Sequence, residues 1–438
     1  MKHCILLLVC LLGMSGNALA QPSPRLLRVN GRYLVTPCAD TVMLRGVNKM
    51  VIWTGDLDLR KRSYAEIKKT GANCVRIVWL AQPGQFEADA TPEGLDRTIQ
   101  DAIDAGLIPI VELHDATGDW SKLSMVVDYW VRPDVVAIIA KHEPYLIVNI
   151  ANEAGDETVT DGMYIAGYTS AIQRMRAAGI QTPLLIDAAD WGKNLEQLVR
   201  TAPALTQTDP QKNIMYSVHI YWSTTDGADA GYIEQQFAAA VNSGLPFIVG
   251  EFTNLFNRNG ACTYPTAYEG ILASCAKHRI GWLAWEWGPG NEFADASCDV
   301  MNMTTNSMYA TLKDGWARDV AEMSPNSIKQ TSVTPQYIIK HGVCTATSVA
   351  EFARGEETMA IYPNPSTGSL SASYALVAPA DIRIDILNTI GTVIWSAERT
   401  HSQPGTYSVP IALSQSGIYF CRLSSPSQTL VRQVVVGR

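Results

Sequence analysis

The chain has 438 residues, of which 47% are hydrophobic and 17% are charged, and its formal net charge is −8 at pH 7. This length exceeds that of a typical single domain, so we expect one large domain and a smaller one, with ample apolar material for a core. The negative charge argues against nucleic acid as a partner. The seven histidines are scattered and no HExxH or CxxC spacing occurs, so we expect neither a metal ion nor a cofactor.

The first 20 residues have the pattern of a secretion signal peptide. Lys2 and His3 precede an apolar run at residues 4–12, and ALA at residues 18–20 supplies the small residues of a cleavage site. The run is too short for a membrane anchor, and no other stretch approaches the length that a membrane span needs. We therefore predict an exported protein from a bacterium-like cell, without a transmembrane segment.

Seven cysteines remain once that segment is removed. The odd number leaves at least one thiol without a partner in the chain. Cys74 lies in the apolar stretch CVRIVW and is expected to be a small core residue. In an oxidising compartment several disulfides could form. The candidate pairs are Cys38 with Cys344, and Cys262 with either Cys298 or Cys275.

Eight apolar runs of β type follow one another along the chain. They are VMLRGVN (42–48), ANCVRIVW (72–79), LIPIVELH (107–114), YLIVNIANE (145–153), PLLIDA (183–188), IMYSVHIY (214–221), PFIVGE (246–251) and IGWLAW (280–285). Most are separated by stretches of helical pattern, such as GLDRTIQDAIDAG, and several of these end in a glycine that suits a helix C-cap. This alternation predicts a parallel sheet covered by helices.

Eight such units in about 300 residues predict a (β/α)₈ TIM barrel, which we assign to residues 21–323. The alternative is an open doubly wound sheet, which usually carries a glycine-rich phosphate loop after its first strand. The segment RGVNKM at that position offers no such loop. The predicted fold class is therefore α/β, a TIM barrel followed by a small all-β sandwich.

Polar and aromatic residues mark the carboxyl ends of the predicted strands. Arg76 lies in the second strand, and the ends of later strands carry His114, Asn152, Glu153, His219, Tyr221, Glu251, Trp285 and Trp287. In a TIM barrel these ends meet at one mouth, where barrel enzymes keep their active sites. A helix start is an alternative reason for the Asn152–Glu153 pair, but it does not account for the other positions.

Two carboxylates that face each other over a concave aromatic site can cleave a glycosidic bond. The ends of strands four and seven lie on roughly opposite sides of the ring, so Glu153 and Glu251 should face each other. The like charge of Glu251 favours the protonated form of Glu153, while Arg76 and Tyr221 can stabilise Glu251 as a carboxylate. We therefore predict that Glu153 is the acid/base and Glu251 the nucleophile.

The remaining residues at the mouth are predicted to bind the substrate. The Asn152 amide could hold the sugar 2-hydroxyl. His114 and His219 could orient the substrate and the two acids, although a purely structural role for each buried histidine is the alternative. Trp285 and Trp287 offer flat faces for sugar stacking. One of the two must point into packing, and we favour Trp285 as the platform.

Several linked motifs resemble glycoside hydrolase family 5, in particular its bacterial β-mannanase branch. They are CVRIVW, VELHDATG, DYW, IVNIANE, LLIDAADWG, DPQKNIMYSVHIY, IVGEF and GWLAWEW, between about residue 27 and about residue 320. The resemblance implies a retaining, endo-acting hydrolase of β-1,4-linked mannan or glucomannan. Carried over by motif, the family's active-site positions are Arg76, His114, Asn152, Glu153, His219, Tyr221, Glu251 and Trp285.

Two segments depart from the family pattern. GPGNEF follows GWLAWEW in place of a Lys-Gly-Asn-Gly type turn, and NKMVIWTGD lacks the histidines expected there. Both would line substrate subsites, so an endo-β-1,4-glucanase is an alternative, because mannose and glucose differ only at C2. Trp53 in the second segment is either a distal stacking residue or a loop packing residue. A non-catalytic surface glycan-binding protein is disfavoured because both acids and their donors are present.

The end of the chain has a different composition. Residues 324–357 are rich in Ser, Thr and charge and predict a linker, and short alternating strands predict a β-sandwich at residues 358–438. The motifs IYPNPSTG, DILNTIG, GIYFCRL and VRQVVVGR resemble the C-terminal sorting domain of the type IX secretion system, which implies a secretion-machinery partner and a secreted or cell-surface location. A sugar-binding module is the alternative, but exposed aromatics are sparse. Tyr407, Tyr419 and Phe420 fall in strand patterns and are expected in the core.

Overall fold

A computed structural model describes residues 26–344 and 358–437, except residues 39, 54–56, 85–86, 88–89, 292–294, 363, 377–378, 402, 404 and 426–428. The chain forms two compact units that divide after Cys344. The predicted signal peptide at residues 1–20 lies outside the described residues. Within the described part, none of the helices combines the length and the apolar character that crossing a membrane requires.

The first unit is a closed barrel of eight parallel strands. They are β1 (Arg45–Lys49), β2 (Cys74–Trp79), β3 (Ile108–Leu113), β4 (Ile147–Asn149), β5 (Leu184–Asp187), β6 (Ile214–Ile220), β7 (Phe247–Phe252) and β8 (Gly281–Ala284). Each strand pairs with the next along the chain, and β8 pairs with β1. Every residue in these strands is buried, which explains why most of the runs are mainly apolar. The eight predicted strands and the TIM barrel are confirmed.

Helices surround the barrel and alternate with its strands. They are α1 (Leu57–Lys68), α2 (Pro92–Asp104), α3 (Leu123–Trp130), α4 (Pro133–His142), α5 (Asp161–Ala177), α6 (Leu195–Thr208), α7 (Ala230–Asn242) and α8 (Tyr268–His278). Side-chain capping fixes the starts of α2, α5, α6 and α7, as where Thr160 accepts a hydrogen bond from the Met163 amide before α5. The strand-connecting segments also contain a hairpin, Leu255–Arg258 with Ala261–Pro265, and short helical turns such as Val51–Trp53, Thr224–Asp226 and Ala296–Met301.

Residues after 323 cover the amino-terminal ends of the first barrel strands. Short helices at Ile328–Thr331 and Gln336–Ile339 contain side chains that are fully or almost fully buried, including Ile328 and Tyr337. The Thr331 hydroxyl accepts a hydrogen bond from Arg45 in β1 at 3.0 Å. Residues 324–344 therefore belong to the barrel unit, which corrects the predicted linker at 324–357. The Ser- and Thr-rich composition concealed the few apolar residues that dock on the barrel.

Two disulfides link parts of the barrel unit. They join Cys38 to Cys344 and Cys262 to Cys298, while Cys74, Cys275 and Cys421 are buried free thiols. The alternative pair of Cys262 with Cys275 is wrong, because Cys262 is bonded to Cys298 and Cys275 lies on the buried face of α8. Cys74 lies in the apolar cluster at the amino-terminal end of the barrel, in agreement with its predicted role.

Removing the Cys38–Cys344 bridge is expected to lower the free energy of unfolding of the barrel unit by about 2–5 kcal/mol. The bridge joins residues 306 positions apart and so restrains the unfolded chain. Urea unfolding of the Cys38→Ser, Cys344→Ser protein can be followed by tryptophan fluorescence, because every tryptophan except Trp395 belongs to this unit. A Cys262→Ser, Cys298→Ser protein is the control. Its free energy of unfolding should fall by less, because the bridge that it lacks spans only 36 positions. A larger loss in the control would contradict this account.

The second unit contains two antiparallel sheets. One consists of β9 (Thr358–Tyr362), β10 (Ser369–Leu376) and β13 (Gly405–Ala412), and the other of β11 (Ala380–Leu387), β12 (Val393–His401), β14 (Gly417–Ser424) and β15 (Thr429–Val436). Residues from both sheets share one core. Phe420 is 36% exposed, which corrects its predicted place in that core. The alternation along β14 directs Tyr419 and Cys421 inward and Phe420 outward.

Candidate active site

The carboxyl ends of the barrel strands surround a cleft with a volume of 880 Å³. Its lining includes His114, Glu153, Tyr221, Glu251 and Trp285, which belong to five different strands or the residues that follow them. Arg76 and His219 are buried behind this lining and bond to it, and the buried Asn152 accepts a hydrogen bond from Arg76. The structure thus brings together most of the residues that the sequence analysis assigned to the barrel mouth.

Glu153 follows β4 in a turn where its φ angle is 45°. Its backbone amide donates to Asp187 Oδ2 at 3.2 Å, and its carbonyl oxygen accepts from the Gly118 amide at 2.9 Å. In the side chain, Oε1 lies 2.7 Å from His219 Nδ1. The turn and this contact fix the carboxyl group at the edge of the cleft.

Glu251 lies near the end of β7, and both of its carboxyl oxygens have donors. Arg76 Nη1 donates to Oε1 at 2.7 Å, and the Tyr221 hydroxyl donates to Oε2 at 2.7 Å. His219 Nδ1 lies 3.5 Å from Oε1. One carboxyl oxygen of Glu153 and one of Glu251 lie within 4.8 Å of each other. The two acids therefore face each other with different partners.

Close approach of β6 and β7 requires glycine at position 250. A Cβ there would lie 2.2 Å from Ser217 Oγ and 2.9 Å from His219 Nε2, distances that no side chain tolerates. The pairing of β7 with β6 also shifts register between Val249 and Glu251. The missing side chain and the register shift place Glu251 beside His219.

Arg76 forms the centre of a buried polar network. Besides Glu251, its guanidinium donates to Asn48 Oδ1 at 3.0 Å, Asn149 Oδ1 at 2.9 Å, Asn152 Oδ1 at 2.6 Å and Asp187 Oδ2 at 3.2 Å. Burial alone lowers the pKa of Arg76, but the surrounding carboxylates outweigh burial and raise it. The side chain is therefore a permanent cation that orients its neighbours.

The pKa values of His219 and Glu251 depend on their burial and on the charged groups around them. Burial alone lowers the pKa of the His219 imidazole, but the carboxylates of Glu251, Asp187 and Glu153 raise it to about 9. Burial raises the pKa of the Glu251 carboxyl, and His219 and Arg76 oppose that rise without cancelling it. The predicted donors thus act on Glu251 in the expected direction, but burial, which the sequence analysis left out, outweighs them.

The other predicted binding residues lie around this centre. Asn152 accepts from Arg76 through Oδ1 and donates from Nδ2 to Thr117 Oγ1 at 2.8 Å, which leaves one N–H of its amide available. His114 Nδ1 lies 2.9 Å from Glu112 Oε1. Burial lowers the pKa of His114, but the Glu112 carboxylate more than offsets this, and the pKa is raised.

Two tryptophans flank His114 at the cleft. The Trp285 ring stacks on His114 with an interplanar angle of 18° and a centroid distance of 6.0 Å. Its indole Nε1 donates to Asn291 Oδ1 at 2.8 Å, within the segment that departs from the family pattern. Trp53 is 39% exposed and meets His114 edge-on at 5.7 Å. A distal stacking role and a loop-packing role for Trp53 therefore both stay predictions.

Trp287 does not belong to the cleft. Its ring is fully buried, its Nε1 donates to the Ser307 carbonyl at 2.8 Å, and its backbone pairs with Asn48 and Thr304. This backbone pairing turns the ring into the core, so the predicted substrate-binding role of Trp287 is corrected. Of the two tryptophans, only Trp285 lines the cleft.

Four network residues were missed by the sequence analysis. They are Asn48, Glu112, Asn149 and Asp187, all fully buried. Glu112, Asn149 and Asp187 are each a polar residue within an otherwise apolar barrel strand, and that contrast was the signal that could have revealed them. Asn48 lies in β1 beside other polar residues and carried no such signal. Their side chains position Arg76 and His114 and do not line the cleft.

Comparison with known proteins identifies the family. Residues 36–291 match the family described as Cellulase (glycosyl hydrolase family 5). The chain belongs to this family. The barrel unit of this family 5 member is accordingly a glycoside hydrolase domain, as the motifs predicted.

Named relatives of this family 5 member include mannanases. A mannan endo-1,4-beta-mannosidase of Salipaludibacillus agaradhaerens is 32% identical over 66% of this chain and 86% of its own length. One from Cellvibrio japonicus is 31% identical over 64% of this chain, which spans only 63% of that protein. The crystal structure of a beta-mannanase from Streptomyces thermolilacinus with mannohexaose is 28% identical, with a TM-score of 0.61, and covers 71% of this chain and 98% of its own.

The second unit matches a different family. Residues 360–437 match the secretion system C-terminal sorting domain. This confirms the predicted sorting domain, and it assigns export through the type IX system to this family 5 hydrolase.

One group of side chains converges closely enough to consider a metal ion. Within the described ranges it consists of Glu153, His219 and Glu251. Arg76 already places a cation 2.7 Å from Glu251, and His219 carries positive charge below pH 9. A metal ion would be repelled by both, so the group suits proton transfer better than metal binding.

The stability of the barrel unit is expected to fall by about 3 kcal/mol between pH 6.5 and pH 10 because of His219. Its raised pKa means that the folded state holds a proton that the unfolded state releases near pH 6.5. The stabilisation is therefore complete below pH 6.5 and is lost as the pH rises through about 9. Urea unfolding at several pH values measures the loss, and a His219→Gln protein should show a shallower decline. An equal decline in both proteins would contradict this assignment.

Proposed function

We propose that the protein is a secreted, endo-acting glycoside hydrolase that cleaves β-1,4-mannosidic bonds in mannan or glucomannan with retention of configuration. The observation that carries this proposal is the short distance between the two acids, with oxygens of Glu153 and Glu251 within 4.8 Å. Retaining glycosidases hold their carboxyl groups about 5–5.5 Å apart, whereas inverting enzymes need about 6.5–9.5 Å to admit a water molecule. The distance favours retention.

In the first step Glu251 is the nucleophile. Its carboxylate attacks the anomeric carbon of the bound sugar, and the bond from that carbon to the leaving oxygen breaks. Glu153 gives its proton to that oxygen, so the departing chain leaves as an alcohol and an ester joins the sugar to Glu251. Arg76 and Tyr221 support this role because they orient one carboxyl oxygen each.

In the second step Glu153 changes from acid to base. It removes a proton from water, the resulting hydroxide attacks the same carbon, and the Glu251 carboxylate leaves. His219 holds Glu153 Oε1, and Oε2 has no partner among the described residues and borders the cleft. The imidazolium of His219 also offsets the like charges of the two acids in both steps.

Three further residues are assigned to the substrate. The free N–H of Asn152 would donate a hydrogen bond to the sugar 2-hydroxyl. This hydrogen bond strengthens as positive charge develops on the sugar in the transition state. Trp285 would stack on a sugar face, with His114 beside it. The names of the relatives support mannan as the polymer, and the extension of the cleft along the loops after β5, β6 and β7 supports attack within a chain.

The deciding experiment compares polymers. Purified protein is incubated with β-1,4-mannan and with carboxymethylcellulose, and newly formed reducing ends are measured over time. We expect new reducing ends to be released from mannan. NMR should show that the β-anomer of these ends forms first. Release from the cellulose derivative alone would favour the endo-β-1,4-glucanase alternative. Tight binding to both polymers without turnover would favour a non-catalytic glycan-binding protein.

A further inference from the structure

We propose that Trp191 forms a sugar-stacking subsite on the leaving-group side of the cleft, an inference that rests on the proposed function. Trp191 follows β5, lines the cleft and is 39% exposed. A large apolar ring that remains open to water in a polar cleft can bind the apolar face of a sugar ring. The ligand class is a β-1,4-linked hexose of the chain that departs in the first step.

Backbone hydrogen bonds to neighbouring segments of the site hold the turn that carries Trp191. Asp190, Trp191 and Gly192 have φ angles of 56°, 50° and 74°, which are uncommon for residues with a side chain. The Trp191 amide donates to the Gly155 carbonyl at 3.1 Å, and the Gly192 carbonyl accepts from the His219 amide at 2.8 Å. A conformation of this kind persists because its surroundings fix it, so the backbone holds the indole in place before any substrate binds.

The loop after β3 leaves room for the edge of the indole. A Cβ at Gly118 would lie 2.4 Å from Trp191 Nε1, so a side chain at position 118 would displace the ring. The Gly118 amide donates to the Glu153 carbonyl at 2.9 Å. Trp191 therefore packs against the same backbone that holds the proposed acid.

The position of Glu153 beside Trp191 determines which part of the substrate reaches the indole. Glu153 protonates the oxygen of the bond that breaks, so the departing sugars lie on the Glu153 side of the anomeric carbon. Trp285 lies elsewhere, beside His114 after β8. The two tryptophans would thus contact different sugars of one bound chain.

Polar groups accompany the exposed ring. The Lys193 ammonium lies 5.6 Å from the ring centroid of Trp191 and 3.3 Å from Asp190 Oδ1. Both side chains also line the cleft. A sugar has apolar faces and hydroxyl groups around its edge, and an aromatic ring flanked by a donor and an acceptor matches that arrangement.

The test compares two substrates that differ in their leaving group. Mannohexaose can place sugars on Trp191, whereas β-mannobiosyl fluoride releases only fluoride and places no ring there. We expect Trp191→Ala to lower kcat/KM on mannohexaose by about tenfold or more, mainly through KM, and to change it by less than about twofold on the fluoride. Trp191→Phe keeps a flat ring and should recover most of the mannohexaose activity.

Other outcomes separate this inference from the proposed function. Equal losses on both substrates would overturn the subsite, because they are expected if Trp191 only supports His219 through the Gly192 contact. No loss on either substrate would overturn it as well. A wild-type protein that hydrolyses neither substrate would overturn the proposed function, and this inference with it. Thermal unfolding of each variant shows whether the fold is intact.

Discussion

Glu251→Ala is expected to lower kcat on mannan by on the order of 10⁴-fold or more, because no ester to the enzyme can then form. The fold should survive this change. Burial raises the pKa of Glu251, so its ionised form is less favourable in the folded than in the unfolded protein. Arg76 keeps its ion pair with Asp187 at 3.2 Å when Glu251 is absent. We therefore expect an unchanged or higher thermal midpoint alongside the loss of activity.

Azide provides a control for the role of Glu251. In the alanine variant the space of the missing carboxyl group can admit this small anion, which attacks the anomeric carbon from the same face. With an aryl β-mannobioside as substrate, we expect azide to restore turnover and to yield the α-mannosyl azide. Glu251→Gln is the matched variant, since it removes the charge but fills the space, and azide should not rescue it. Retained full activity in Glu251→Ala, or a β-configured azide product, would contradict the nucleophile assignment.

The barrel could be predicted because its strands are buried on both faces. Most runs, such as Ile108–Leu113 in β3, are mainly apolar and are followed by a helical pattern, and this combination has few alternatives among folds. The end of the barrel unit could not be predicted in the same way. Docking of residues 324–344 depends on a few apolar side chains, including Ile328 and Tyr337, within a polar composition.

The members of the candidate site were visible at the strand ends, but the distances among them were not. Polar residues such as Glu251 stand out after apolar runs, and closure of the barrel brings them to one mouth. The side-chain direction of Trp287 depends on backbone pairing beyond the end of β8, which sequence alternation does not encode. The charge state of Glu251 depends on burial by residues distant in the chain, so the electrostatic prediction was incomplete.

Glu153→Gln is expected to affect two classes of substrate unequally. On mannan the leaving oxygen needs a proton, so we expect kcat/KM to fall by about 10²–10⁴-fold. A 2,4-dinitrophenyl β-mannobioside releases a phenolate that is stable without a proton, so formation of the ester to Glu251 should proceed at nearly the wild-type rate. Glutamine retains an oxygen that can accept from His219 Nδ1, which lies 2.7 Å from Glu153 Oε1, so the position of the side chain should be preserved.

The same variant also tests the second step. Hydrolysis of the ester requires Glu153 as the base for water, so the dinitrophenyl substrate should show a rapid first turnover followed by slow release of sugar. Azide needs no base, and it should accelerate that release and yield the β-mannosyl azide, the opposite anomer to that expected from Glu251→Ala. The pair of azide products therefore assigns each acid independently of the size of the rate changes. Equal losses on mannan and on the dinitrophenyl substrate, with no response to azide, would contradict the acid/base role. Loss of a residue that only binds sugar lowers the rate to the same extent whatever the leaving group is.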